Sequence, residues 1–130
     1  MKVEIFTEKA PKPVGPYSQA VKVGGFLFLS GQIGIDPKTS KLKEGFRQQV
    51  EQVFENIHSI LLEGGYSWED VVRVVVYLKD LSKFQEFNQI YQEVFKDVKV
   101  KPVRTTVEVS RLPLDALVEM EITAYKPTYD

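Results

Sequence analysis

The charged side chains best placed to do chemistry lie in the last third of the chain, on two segments that alternate as β-strands do. Over 100–109, Val103, Thr105, Val107 and Val109 share one side and Arg104, Thr106 and Glu108 the other; over 116–125, Val118, Met120, Ile122 and Ala124 oppose Glu119, Glu121 and Thr123. If the apolar sides meet the core, Arg104 and Glu119 lie together on the opposite face of a sheet. An arginine there suits a carboxylate, because its planar fork can bond both oxygens at once. A glutamate partly withdrawn from water suits proton transfer. Two arrangements remain open. If the segments form a hairpin, the two residues are roughly 5 to 8 Å apart and make a surface salt bridge worth at most about 1 kcal/mol. If another strand lies between them, they are roughly 10 Å apart, a gap that suits a small carboxylate substrate better than an ion pair.

Other chemistries are excluded early. The 130 residues carry 17 basic and 18 acidic side chains, a net charge of −1, and no cysteine. Without cysteine there is no disulfide framework, thiolate nucleophile, thiolate zinc site or iron–sulfur cluster, and a reducing, cytoplasmic setting is the natural expectation. The only histidine, His58, rules out a multi-histidine metal site, and it falls just off the apolar stripe of its helix, where a structural or solvated role is expected. Trp68, in a capped turn, reads as packing. The glycines at 24, 25, 31 and 34 fit neither a phosphate loop nor a dinucleotide fingerprint, so no nucleotide or other cofactor is expected. Balanced charge without a Lys/Arg cluster argues against a nucleic-acid surface. The opening residues, Met1 to Phe6, form neither a signal peptide nor a membrane span.

The elements that must position these residues form one domain over 1–130, large enough to bury a core without a disulfide or metal. Val3 to Phe6 reads as a first strand, and the proline-rich Ala10 to Pro16 as an extended loop. Ala20 to Val23 and Phe26 to Leu29 flank Gly24-Gly25, a hairpin signal, and Asp36 to Ser40 is a turn. Apolar residues at 46, 50, 53, 54, 57, 60 and 61 predict a helix stopped by Gly64-Gly65. Val71 to Leu78, apolar at nearly every position, predicts a strand buried on both faces. A second helix carries Phe84, Phe87, Tyr91, Val94 and Phe95, capped by Asp80 or by Ser82 in a capping box with Gln85. The order predicts an α+β fold: one mixed sheet with two helices on one face. Its second face is apolar around Phe26 to Leu29, Val75 and Tyr77, and no third layer remains to cover it, so self-association is expected.

Read together, Gly15-Pro16-Tyr17-Ser18-Gln19-Ala20, Leu29-Ser30-Gly31-Gln32-Ile33, Pro102 to Val107, and Leu112-Pro113-Leu114 followed by Val118 to Glu121 closely resemble, in order and spacing, the RidA (YjgF) family of enamine/imine deaminases. Asn88 and Tyr91 extend the resemblance into the second helix, and it covers essentially the whole chain. It implies a chorismate-mutase-like homotrimer in which the strand before the second helix separates the last two, which favours the wide gap. Position by position, it implies that Arg104 clamps a substrate carboxylate, Glu119 orients the attacking water, and Gly31 offers a backbone amide. Tyr17 and Ser30 would be pocket residues contributed across the subunit boundary. Thr106 stands where many relatives have cysteine, with an expected effect on pocket shape more than on chemistry. The implied activity is cofactor-independent hydrolysis of 2-iminobutanoate, 2-iminopropanoate and 2-aminoacrylate to 2-oxo acids and ammonia. A small-molecule-binding regulatory protein and a ribonuclease or translation inhibitor are the rival readings on the same trimer, and Arg104 and the absence of a basic patch weigh against them.

Overall fold

Residues 1–128 are described by a computed structural model in which two amphipathic helices lie on one face of a six-stranded sheet. Helix α1 (Phe46–Gly64) buries Val50, Val53, Phe54, Ile57, Ile60 and Leu61, the stripe that its spacing predicts. It ends at Gly65, whose φ of 86° is the left-handed conformation that lets the amides of Gly65 and Tyr66 turn back onto the Leu62 and Leu61 carbonyls. Helix α2 (Phe84–Val94) buries Phe87 and Ile90. Of the two caps expected at its entry, Asp80 is the one that forms, and the Ser82–Gln85 box does not: the Asp80 carboxylate accepts from the Ser82 amide at 2.9 Å and caps a short 3-10 turn, Leu81–Lys83, that feeds the helix.

The strands are β1 (Lys2–Ile5), β2 (Ala20–Val23), β3 (Phe26–Leu29), β4 (Ile35–Asp36), β5 (Lys41–Leu42), β6 (Val71–Leu78), β7 (Val103–Glu108) and β8 (Val118–Tyr125). The main sheet runs β1-β2-β3-β8-β6-β7, and β4 and β5 form a separate two-residue ribbon around the turn expected at 36–40. Strand β7 starts later than the apolar pattern suggested, after Pro102, which has no amide to donate to a ladder. The β6–β7 pair is parallel and joined through α2, and all other pairs are antiparallel. Strand β6 therefore separates β7 from β8, which excludes the hairpin arrangement.

The inner face of the sheet supplies Leu27, Leu29, Val74, Val76, Met120 and Ile122, all buried against the helices. Burial of each such side chain is worth about 1.5–3 kcal/mol. The outer face is bare. Phe26, Phe28, Val103, Val107 and Tyr125 are exposed there, with the Phe26 ring 5.7 Å from Phe28 and 4.8 Å from Tyr125. Strand β6 is accordingly not buried on both faces in the single chain, as its composition had suggested. Val74, Val76 and Leu78 are buried, whereas Val75 and Tyr77 are only half-buried and Arg73 is exposed.

Candidate functional site

The site grows from the point where the chain leaving β3 runs beside β8. Gln32 and Met120 exchange both backbone hydrogen bonds, at 2.8 and 3.0 Å, which pins Ser30-Gly31 alongside Glu119. The Ser30 amide donates to the Gln19 carbonyl at 2.9 Å and its hydroxyl to the Ser18 carbonyl at 2.6 Å, so the segment carrying Tyr17 is fastened to the same place. Gly31 is a close-approach position. A Cβ there would overlap the Glu119 carboxylate, coming within 2.9 Å of its Cδ. Tyr17, Gly31 and Glu119 line one cavity of about 100 Å³, whereas Ser30 does not line it and instead braces the neighbouring backbone.

Glu119 and Glu121 share the outer face of β8, and their surroundings separate them. Glu121 is exposed and accepts a hydrogen bond from the Tyr77 hydroxyl at 3.0 Å. Glu119 is half-buried, and no hydrogen bond to its carboxylate is formed among the described residues. Burial, and then the nearby charge of Glu121, raise its pKa above the ordinary carboxylate range. Both effects favour the protonated form, which suits a carboxyl that takes up and hands on a proton.

Arg104 lies elsewhere. It pairs in register with Val74, and Thr106 with Val76, so both side chains point to the helix face, opposite to Glu119. The expectation that Arg104 and Glu119 share the non-helix face is thus corrected. The alternation along β7 was right, but its apolar side is the exposed one, because β7 is an edge strand beyond the reach of α1. What covers its inner side is the aromatic stripe of α2: the Arg104 guanidinium lies 4.7 Å from the ring centre of Tyr91, 5.5 Å from Phe84 and 5.7 Å from Phe87. Such contacts attract a cation to the negative face of the ring, and the apolar stem of an arginine packs well there. Among the described residues Arg104 has no carboxylate within ion-pairing distance. Nearby on α2 and β7, the Asn88 Oδ1, Tyr91 hydroxyl and Thr106 Oγ1 are buried without a hydrogen-bond partner.

The candidate residues therefore fall into two groups: Tyr17, Ser30, Gly31 and Glu119 around one cavity, and Arg104 with Thr106 on the far side of the edge strand. Sequence reasoning missed Gln19. Its buried side chain accepts from the Thr7 amide at 2.8 Å and donates to the Thr7, Ala10 and Pro11 carbonyls at 3.0, 3.3 and 2.9 Å, holding the loop that walls the cavity. The only available signal was an amide inside the Gly15–Ala20 motif. His58 stacks on Trp68 with ring centres 5.9 Å apart and lines none of the cavities described here. Among the described residues, no helix is long and apolar enough to cross a membrane.

Comparison with known proteins bears on this geometry. The profile of the family described as endoribonuclease L-PSP matches residues 7–126. A RutC family protein of Aquifex aeolicus is 60% identical over 123 residues, covering 95% of this chain and 98% of the relative. Among solved structures, RidA of an Antarctic Psychrobacter superimposes with a TM-score of 0.91 at 46% identity, covering 95% of this chain and 99% of that one. TdcF of E. coli, solved with bound serine, gives 0.91 at 34% identity over 95% and 98%.

Proposed function

This chain belongs to the RutC/RidA family, described by its sequence profile as endoribonuclease L-PSP, and on that premise we propose that it is a cofactor-independent hydrolase of 2-imino acids and their enamine tautomers. The observation that carries the reading is Glu119: a half-buried carboxyl with a raised pKa, free of hydrogen bonds among the described residues, set against Gly31 in a cavity. The substrates are 2-aminoacrylate, 2-iminopropanoate and 2-iminobutanoate, and the products a 2-oxo acid and ammonia. The serine bound to the relative TdcF is an α-amino acid of the same size and carries the same carboxylate.

The chemistry asks little of the protein. C2 of an imino acid is already electrophilic, so hydrolysis requires a positioned water and a held carboxylate. Glu119 takes a proton from water as its oxygen bonds to C2 and the C=N electron pair moves to nitrogen. The same carboxyl returns that proton to nitrogen to give the carbinolamine; it then takes the carbinolamine's hydroxyl proton and passes it to the amino nitrogen, so that the C2–N bond breaks and ammonia leaves as the C2–O double bond forms. The Gly31 amide and Tyr17 line the space where C2 sits, with Ser30 bracing the segment, while Thr106, on the same side of β7 as Arg104, shapes the far wall of a neighbouring subunit's site.

Arg104 is the carboxylate anchor, and it serves the site of a neighbouring subunit. What supports this is the opposite orientation of Arg104 and Glu119 within one chain, together with an edge strand and a bare aromatic face that identical copies can cover. A homotrimer completes three such sites. The guanidinium, held on the rings of α2 and without a carboxylate partner among the described residues, can take one from the substrate.

A ribonuclease reading is suggested by the family description, yet a net charge of −1 offers phosphates little, and the only histidine is stacked on Trp68. The test is to add the purified protein to a serine or threonine dehydratase reaction and follow 2-oxo acid release. Acceleration beyond the spontaneous rate supports the proposal, and an unchanged rate together with cleavage of an RNA substrate overturns it.

A further inference from the structure

Helix α1 carries a second stripe that its apolar face does not explain. Gln49, Gln52 and Asn56 stand three and four residues apart, so they share one side of the helix, and all three are buried. Buried amides cost free energy unless they are paired, a demand that apolar side chains in their place would not make. Their bonds lead off the helix to two chain segments. Asn56 Nδ2 donates to the Ile35 and Ile33 carbonyls at 2.9 and 3.3 Å, while its Oδ1 accepts from Gln52 Nε2 at 2.8 Å. Gln49 Nε2 donates to the Lys43 carbonyl at 3.0 Å, and its Oε1 accepts from the Leu117 amide at 2.8 Å. Gly34 lies close on the same helix: a Cβ there would come within 2.7 Å of the Gln49 Cα and carbonyl oxygen.

These are the segments that bring Gly31 and Glu119 together. Asn56 grips the chain at Ile33, two residues past Gly31, and Gln49 grips it at Leu117, two residues before Glu119. Between those grips stands the Gln32–Met120 bridge, a single residue pair with two hydrogen bonds. The Glu119 carboxylate has no hydrogen bond of its own among the described residues, so its place beside Gly31 is set by the backbone. A bridge that short needs support from behind, and a fully paired buried amide network supplies rigidity.

We infer that Gln49, Gln52 and Asn56 are positioning residues, which hold the Gly31 amide and the Glu119 carboxyl at the separation the reacting carbon requires. They act through the backbone, since none of the three lines the cavity beside Glu119. The inference rests on the deaminase reading and adds the device that keeps an unbonded carboxyl in place. Misplacement by about 1 Å from a change far from the chemistry costs about 100-fold in rate. Loosening the stripe therefore lowers kcat. It leaves KM nearly alone, because Arg104 is held by the rings of α2 and shares no bond with the stripe.

The test generates an imine from alanine with an L-amino-acid oxidase and measures how strongly the full-length protein competes with a semicarbazide trap as the supply is raised, which yields kcat and KM. Gln49→Met keeps the size of the side chain and loses both bonds. Its kcat is expected to fall about tenfold to 100-fold with KM within about twofold of wild type, and hydrogen exchange at the Gln32 and Met120 amides to quicken relative to the rest of the sheet. Val53→Ala is the control: it opens a cavity in the apolar stripe of α1 and touches neither segment's bonds, so the thermal midpoint falls while kcat and the relative exchange at those two amides stay near wild type. Gln52→Met loses only the bond to Asn56 and leaves every backbone partner of the stripe paired. Where Gln49→Met does not fold, Gln52→Met takes its place under the same two criteria. A fall in kcat no larger than that of Val53→Ala, or exchange at Gln32 and Met120 as slow as in wild type, overturns the inference while the deaminase reading stands. Failure of the wild-type protein to hydrolyse the imine overturns the deaminase reading and the inference with it.

Discussion

At the scale of single residues, the two glutamates of β8 offer the sharpest comparison, since alternation puts them on one face and only their surroundings tell them apart. Glu119→Gln is nearly isosteric, so substrate binding and assembly are expected to persist while turnover falls by about 100-fold to 10,000-fold, the usual worth of general acid–base help. Glu121→Gln keeps an acceptor for the Tyr77 hydroxyl and is expected to remain active. It has a second, signed effect. Glu119 works as a base only when ionised, so activity falls as pH drops through its raised pKa, and part of that elevation comes from the charge of Glu121. Removing the charge lowers the pKa of Glu119, so the acid limb of the rate profile is expected to move to lower pH in Glu121→Gln, as rates measured from pH 4 to 8 would reveal. Arg104→Lys keeps the charge on β7 but loses the fork that holds two oxygens. If the lost bond to a charged group is worth about 1.5–3 kcal/mol, activity falls about tenfold to a hundredfold or more, mainly through a raised KM. Full activity in that variant would reduce Arg104 to a side chain packed on aromatic rings.

At the scale of elements, the site depends on a backbone approach that only glycine permits. Gly31→Ala puts a methyl group where the Glu119 carboxylate lies. The carboxylate is the free end of a flexible side chain, so the fold is expected to lose about 1 kcal/mol or less, whereas the reaction loses its proton carrier from the cavity. A large fall in thermal midpoint with activity retained would show that Gly31 serves packing instead. How far such elements were legible depended on how many residues spoke for each. The long stripe of α1, the apolar run of β6 and the Gly24-Gly25 turn identify themselves, because side-chain period and glycine placement act locally. Strands β4 and β5, which flank the turn expected at 36–40, went unread, since two residues each carry no period. The direction of Arg104 was illegible for a different reason. Alternation says which residues share a face but not which face is inside, and on an edge strand the aromatic rings of α2 make a better bed for an arginine stem than for a short valine. Gln19 was equally silent, because its worth lies in four bonds to a loop about ten residues away in sequence.

At the scale of the whole molecule, two facts lead to one arrangement. The outer face presents Phe26, Phe28 and Tyr125 as a contiguous aromatic patch, which a solitary soluble chain rarely leaves bare. Within the same chain the arginine and the glutamate face opposite ways, so no single copy can bring both to one substrate. The proposed homotrimer would resolve both, each copy covering a face of the next and lending it a residue. The expected mass in solution is three times the 14.9 kDa of the chain, and a light-scattering mass of one chain at micromolar concentration would overturn the arrangement. Mass alone does not say that sites are shared, and subunit mixing does. Arg104→Ala leaves Glu119 intact, and Glu119→Gln leaves Arg104 intact, so each variant by itself is expected to be nearly inactive. When equal amounts are unfolded and refolded together, each site draws its arginine from one subunit and its glutamate from another. About a quarter of the sites then receive both wild-type residues. Activity is therefore expected to recover to about a quarter of the wild-type value, whereas a site built within one chain would recover nothing, because every copy in the mixture carries one defect or the other.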